Sequence, residues 1–132
     1  MNITTEVSIG EFLDKLTILQ IKSERIRDAA KLANVRKELE LLNRTWSRSP
    51  FAGSDIREPL GRLKAINEKL WAIEDDIRNK ESTGTFDKEF IELARSVYLC
   101  NDERAAIKRE LNVLLGSELI EEKSYAAYRR KT

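Results

Sequence analysis

Leu63, Ile66, Leu70, Ile73 and Ile77 recur at alternating steps of three and four residues. Past Thr83-Gly84-Thr85 the same rhythm resumes in Phe86, Phe90, Leu93, Val97, Cys100, Arg104, Ile107, Leu111 and Leu114. A strand repeats its apolar residues at every second position, so this spacing is helical. Two helices with matching seams and a short connection form an antiparallel hairpin. With the turn near Gly84, facing residues have numbers summing to about 170. That register sets Ile77 against Leu93, Ile73 against Val97 and Leu70 against Cys100, and it brings Lys69 near Glu103 and Arg62 near Glu110. The second helix ends at Gly116, a residue suited to the left-handed helix terminus. Ser117 is in place to cap a short last helix running to Tyr128, before the basic tip Arg129-Arg130-Lys131.

Ahead of this hairpin, Ser8-Ile9-Gly10-Glu11 has the spacing of a capping box, with Val7 and Phe12 placed for a hydrophobic staple. The helix that follows carries Ile9, Phe12, Leu16, Leu19 and Ile26 on one stripe and Leu13, Ile18 and Ile21 off it. A helix apolar on more than one side needs more than one neighbour. The stripe Leu32, Val35, Leu39, Leu42 and Trp46 points away from the first. Residues 8–47 therefore form either one helix with two partners or a pair broken near Asp28, and the N-cap chemistry of Asp28 favours the break. Residues 48–55, rich in Ser, Pro and Gly, read as a loop, with Phe51 as a plug. The expected architecture is all-α: one domain over 1–132, a bundle of four or five helices round a long coiled-coil-like antiparallel hairpin of residues 56–115, with 116–132 as the short helix and tip.

One layer of the hairpin is polar. Arg104 falls on the seam opposite Ile66, flanked by Asn67 and Asn101, and a guanidinium placed there needs a carboxylate, for which Asp14 is the candidate. Such a layer fixes register. Read more sharply, Asp14, Asn67, Asn101, Arg104 and Lys108 are a ligand site. Ile18 and Ile21 on the first helix, and Tyr125 and Tyr128 near the C-terminus, are candidates for a partner surface, though the tyrosines equally suit packing of the last helix onto the bundle.

Chemistry is sparse. The chain has no His and one Cys, which removes Ser–His and Cys–His nucleophiles and cysteine zinc clusters. Cys100 lies on the apolar seam, where burial raises a thiol's pKa. Glu89 with Glu92, Glu118 with Glu121, and the run Glu74-Asp75-Asp76 have spacings that hold Mg²⁺ in some helical enzymes, but 23 acidic residues produce such pairs by chance. With 24 basic residues beside them, the net charge of +1 argues against nucleic acid. No cofactor is implied. No window has the roughly 18 uninterrupted apolar residues of a membrane span, and Met1 to Val7 lacks signal-peptide character, so a cytoplasmic location is expected.

The segments Gly10-Glu11-Phe12-Leu13-Asp14-Lys15-Leu16-Thr17-Ile18-Leu19, Leu70-Trp71-Ala72-Ile73-Glu74-Asp75, Leu93-Ala94-Arg95-Ser96-Val97-Tyr98 with Asn101-Asp102, and Glu121-Glu122-Lys123-Ser124-Tyr125 resemble an uncharacterised bacterial family, a domain of unknown function. The resemblance spans nearly the whole chain and carries over no catalytic residue. Two functions of different class follow. One is a non-enzymatic helical module that binds a protein partner or itself. The other is a small-ligand or Mg-dependent enzyme acting on nucleotides or phosphosugars, motivated by Arg95, Arg104 and Lys108 beside Glu92 and Asp102.

Overall fold

The computed structural model describes residues 1–128; the basic tip expected at 129–131 lies outside them. The described residues hold four helices and no strand: α1 (Ile9–Arg25), α2 (Ala29–Arg48), α3 (Arg57–Ser82) and α4 (Lys88–Leu115). None is long and apolar enough to cross a membrane.

Local chemistry sets most helix ends. Ser8 Oγ accepts from the Glu11 amide at 3.2 Å, which starts α1. Asp28 accepts from the Lys31 amide at 2.9 Å, so the break between α1 and α2 is real. α2 stops one residue before Ser49, whose backbone is extended as the residue preceding a proline prefers. Pro59 falls in the first turn of α3, where its missing N–H costs nothing. At Gly84 (φ +65°) the chain takes the left-handed conformation that closes α3, and the Thr85 amide reaches back to the Lys80 carbonyl at 2.9 Å. Asp87 then caps α4 through the Phe90 amide at 2.9 Å.

α1 touches all three other helices, whereas α2 touches only α1. This satisfies the two-sided apolar character of α1: Leu13, Leu16 and Leu19 are buried. α2 has one buried residue, Leu42. Its Trp46 ring stacks between Phe12 (6.1 Å) and Phe51 (6.3 Å), so Phe51 plugs the end of the α1–α2 seam. α3 and α4 share the largest contact in the fold. Lys80 Nζ binds Asp87 at 3.0 Å next to the loop, and Arg62 binds Glu110 at 2.6 Å far from it. Lys69 and Glu103 line one surface cleft without forming an ion pair. A single apolar cluster joins Leu13, Leu42, Ile56, Leu63, Leu70, Ile73, Cys100, Ile107 and Leu111 across all four helices.

Three expectations need correction. Residues 117–128 are not a helix; they run as an irregular arm back along α4. The seam of α4 ends on the half-buried Leu115, not on Leu114, which is 58% exposed, and Phe86 lies ahead of the helix at 61% exposure. Ile21, expected on a partner surface, is 1% exposed, because the second side of α1 is covered by α3.

Candidate functional site

The polar layer is built where α1 crosses α3 and α4. Asp14 is 1% exposed, one turn beyond Gly10 on the inner side of α1. Its carboxylate accepts Arg104 Nε at 2.9 Å on one oxygen, and Arg104's terminal nitrogen on the other. Asn67 Nδ2 donates to the first oxygen at 2.9 Å and to Thr17 Oγ1 at 3.0 Å. The Thr17 hydroxyl in turn donates to the Asp14 carbonyl at 2.8 Å. Asn101 accepts only a long 3.5 Å contact from the remaining Arg104 nitrogen. A bidentate pair of this kind offsets the desolvation of both charges, and the hydrogen bonds to Asp14 hold the Arg104 guanidinium above its usual pKa. Among the described residues no buried side-chain nitrogen or oxygen lacks a partner.

One turn along α4, Lys108 sits between two carboxylates, Glu11 of α1 and Glu121 of the arm, each at 2.6 Å. Burial pulls the ammonium down, but the two carboxylates outweigh it and its pKa is raised. The Lys108 contact draws Glu121 below the usual carboxylate value, while the desolvation that opposes it is smaller. The contribution of Glu121 is therefore present above its unfolded pKa of about 4.3 and lost as pH falls through the lower folded value. Because this carboxylate is 44% exposed, solvent screens the pair. Glu121→Gln is expected to lower the melting temperature by about 1–3 °C at neutral pH. As pH falls through the lowered folded value of Glu121, variant and parent are expected to converge, which scanning fluorimetry over a pH series checks.

The same crossing caps α1 from a distance. The Gly10 amide donates to Asn112 Oδ1 at 2.6 Å, and the Ile9 amide to Ser117 Oγ at 3.2 Å. The local sequence signals point elsewhere. Glu11 has capping-box spacing, yet its carboxylate goes to Lys108. Ser117, positioned to cap a final helix, serves α1 instead, and no local motif marks Asn112 for its role. Its signal is a polar residue four positions beyond Lys108 on the buried side of α4.

Asp14, Asn67 and Arg104 thus come together, with Asn101 at the edge and Lys108 one turn away. Ile18 is half-buried and, with Ile21, Lys22, Leu70, Trp71, Glu74, Asp75, Arg78, Asn101 and Arg104, lines a cleft of about 440 Å³ between α1, α3 and α4. Tyr125 is 81% exposed, whereas the Tyr128 ring lies 5.0 Å from that of Tyr98 on α4. The clustering of Arg95 with Arg104 and Lys108 does not occur as one patch. Arg95 is exposed, and the other two bind α1 and the arm. One carboxylate of each group is drawn into an ion pair: Glu74 with Arg78 (2.6 Å), Glu89 with Lys80 (3.4 Å) and Glu121 with Lys108. The described residues contain no cluster of three acidic or cysteine side chains able to hold a metal.

A family model described as a family of unknown function, DUF6165, matches residues 3–130. Searches of curated proteins and of solved structures return no match. With nearly its whole length matched, the chain belongs to DUF6165, a family of unknown function.

Proposed function

We propose that this chain is a non-enzymatic, cytoplasmic helical module that works by binding protein, first of all a second copy of itself, on the scaffold of an antiparallel α3–α4 hairpin. One observation carries the reading: the interior polar groups are spent on one another, while large apolar side chains stand exposed on α4 and the arm. Asp14, Asn67, Thr17 and Arg104 satisfy each other, and Lys108 is held by Glu11 and Glu121. Val113 (68%), Leu114 (58%), Ile91 and Leu99 on α4, and Leu119 and Ile120 on the arm, are exposed. Adjacent exposed apolar residues, such as Val113 with Leu114 and Leu119 with Ile120, are the material of contact surfaces. Sedimentation velocity over a concentration series tests it. A molar mass that climbs above that of one chain, and that Val113→Asp with Leu114→Asp returns to one chain, is the expected result. A strictly monomeric protein up to about 1 mM would count decisively against it.

The second reading is a small-ligand or Mg-dependent enzyme acting on nucleotides or phosphosugars. It is favoured by the cleft in which the Trp71 ring and the apolar Ile18 and Ile21 meet Lys22 and Arg104. A rise in melting temperature with Mg²⁺ and a nucleotide or sugar nucleotide, removed by Trp71→Ala, supports it. Indifference to the whole panel removes it.

A further inference from the structure

We propose that residues 118–128 form an exchangeable arm, and that the outer surface of α4 accepts the same arm from a second copy of the chain. The inference rests on the self-association reading above and gives it a specific contact.

The arm is an accessory to the fold. The apolar core closes on residues up to Leu115 and uses none of it. Among the described residues, no backbone-to-backbone hydrogen bond joins 118–127 to a helix. The arm docks through side chains: Glu121 on Lys108, Glu122 on Arg109 at 3.2 Å, and Tyr128 on Tyr98. It also docks loosely. A cleft of about 1010 Å³ lies against α4, bounded by Tyr98, Asn101 and Asp102 on one side and by Lys123, Tyr125 and Tyr128 on the other. Tyr125 and Leu119 remain 81% and 48% exposed in the docked state.

The arm's direction is set at one residue. Gly116 has φ +66°, and the Ser117 amide returns to the Asn112 carbonyl at 2.8 Å, which turns the chain back along α4. Glycine holds other conformations at little cost, so a change at this residue frees the arm at the expense of the Ser117 contacts to α1 and α4, while the apolar core stays closed. The occupant follows from complementarity already present. The surface offers two cations and a tyrosine ring in a row. The arm offers two carboxylates and a tyrosine ring at the matching spacing. A second copy carries the same arm, so reciprocal exchange keeps the Glu121, Glu122 and Tyr128 contacts and closes as a two-fold dimer. Docking within one chain enjoys an effective concentration in the mM range. Exchange is therefore expected as the protein approaches ~1 mM, and earlier where the exposed apolar residues of two copies meet.

The test uses full-length chains. Tyr98→Cys and Tyr128→Cys are made singly and together, and treated with a short-spacer bismaleimide. The double variant is expected to link positions 98 and 128 within one chain. An equimolar mixture of the single variants is expected to give a dimer linked 98 to 128, identified by peptide mass mapping, with a yield that rises with concentration. Arg109→Cys with Glu122→Cys repeats the measurement where no ring contact is lost. If the wild-type chain self-associates but neither mixture yields the cross-chain link, exchange is overturned and the module reading stands. A wild-type chain monomeric at every concentration overturns both. A double variant that fails to link within one chain in either pair overturns the docked arm itself.

Discussion

Arg104→Ala is expected to destabilise the fold by about 3–5 kcal/mol, the range for breaking a buried ion pair from one side. The loss comes less from the arginine than from what it leaves behind. Asp14 is 1% exposed and would keep only the Asn67 amide on its carboxylate, an ion in a low-dielectric site without its counter-charge. The Arg104 side chain is itself 29% exposed, so water can enter the vacated space, which places the expectation toward ~3 kcal/mol. Against a total stability of about 5–15 kcal/mol for a domain, that is a large fraction. Urea unfolding followed by circular dichroism measures it. The cause is isolated by Asp14→Leu with Arg104→Met, which removes both charges and keeps apolar volume. The double variant is expected within about 1–2 kcal/mol of the parent. Were it as unstable as Arg104→Ala, the orphaned charge would not be the reason.

Gly10→Ala is expected to destabilise by about 1–3 kcal/mol, although alanine is the better helix former by about 1 kcal/mol. A Cβ at position 10 would fall inside the contact distance of the Lys108 carbonyl oxygen, 3.0 Å from its carbonyl carbon and 3.1 Å from Asn112 Oδ1. The obstacle is backbone, which cannot rotate aside as a side chain would. α1 and α4 must separate, and the 2.6 Å bond from the Gly10 amide to Asn112 and the Glu11–Lys108 pair are stretched with them. Gly61 provides the opposite sign. It lies within α3 with nothing inside 4 Å of a built Cβ, so Gly61→Ala is expected to stabilise by about 0.5–1 kcal/mol. Urea midpoints of the two variants moving in opposite directions test whether close approach, rather than glycine itself, is what matters at position 10.

Much of the architecture was legible in residue order because it is settled within one helical turn. Ser8, Asp28, Gly84 and Gly116 mark their boundaries through hydrogen bonds to amides and carbonyls three to five residues away. The apolar rhythm of α3 and α4 repeats at the helical period, which any chain must bury along one face. Asp14 could be named as the partner of Arg104 because a seam arginine requires a carboxylate. What only the tertiary structure decided are contacts whose two halves lie far apart in sequence. Glu11 prefers Lys108, 97 positions away, over its own N-cap, and Asn112 and Ser117 cap a helix that begins more than 100 residues earlier. Ile21 disappears under α3 for the same reason. Residues 117–128 carry helix-compatible spacing and a capping serine, yet a segment of about 12 residues does not hold a helix by propensity alone. It lies instead where α4 offers Lys108, Arg109 and Tyr98. Nearest-neighbour chemistry fixes where helices start and stop, but the energy of a buried charge or a close backbone approach depends on which distant residue arrives beside it.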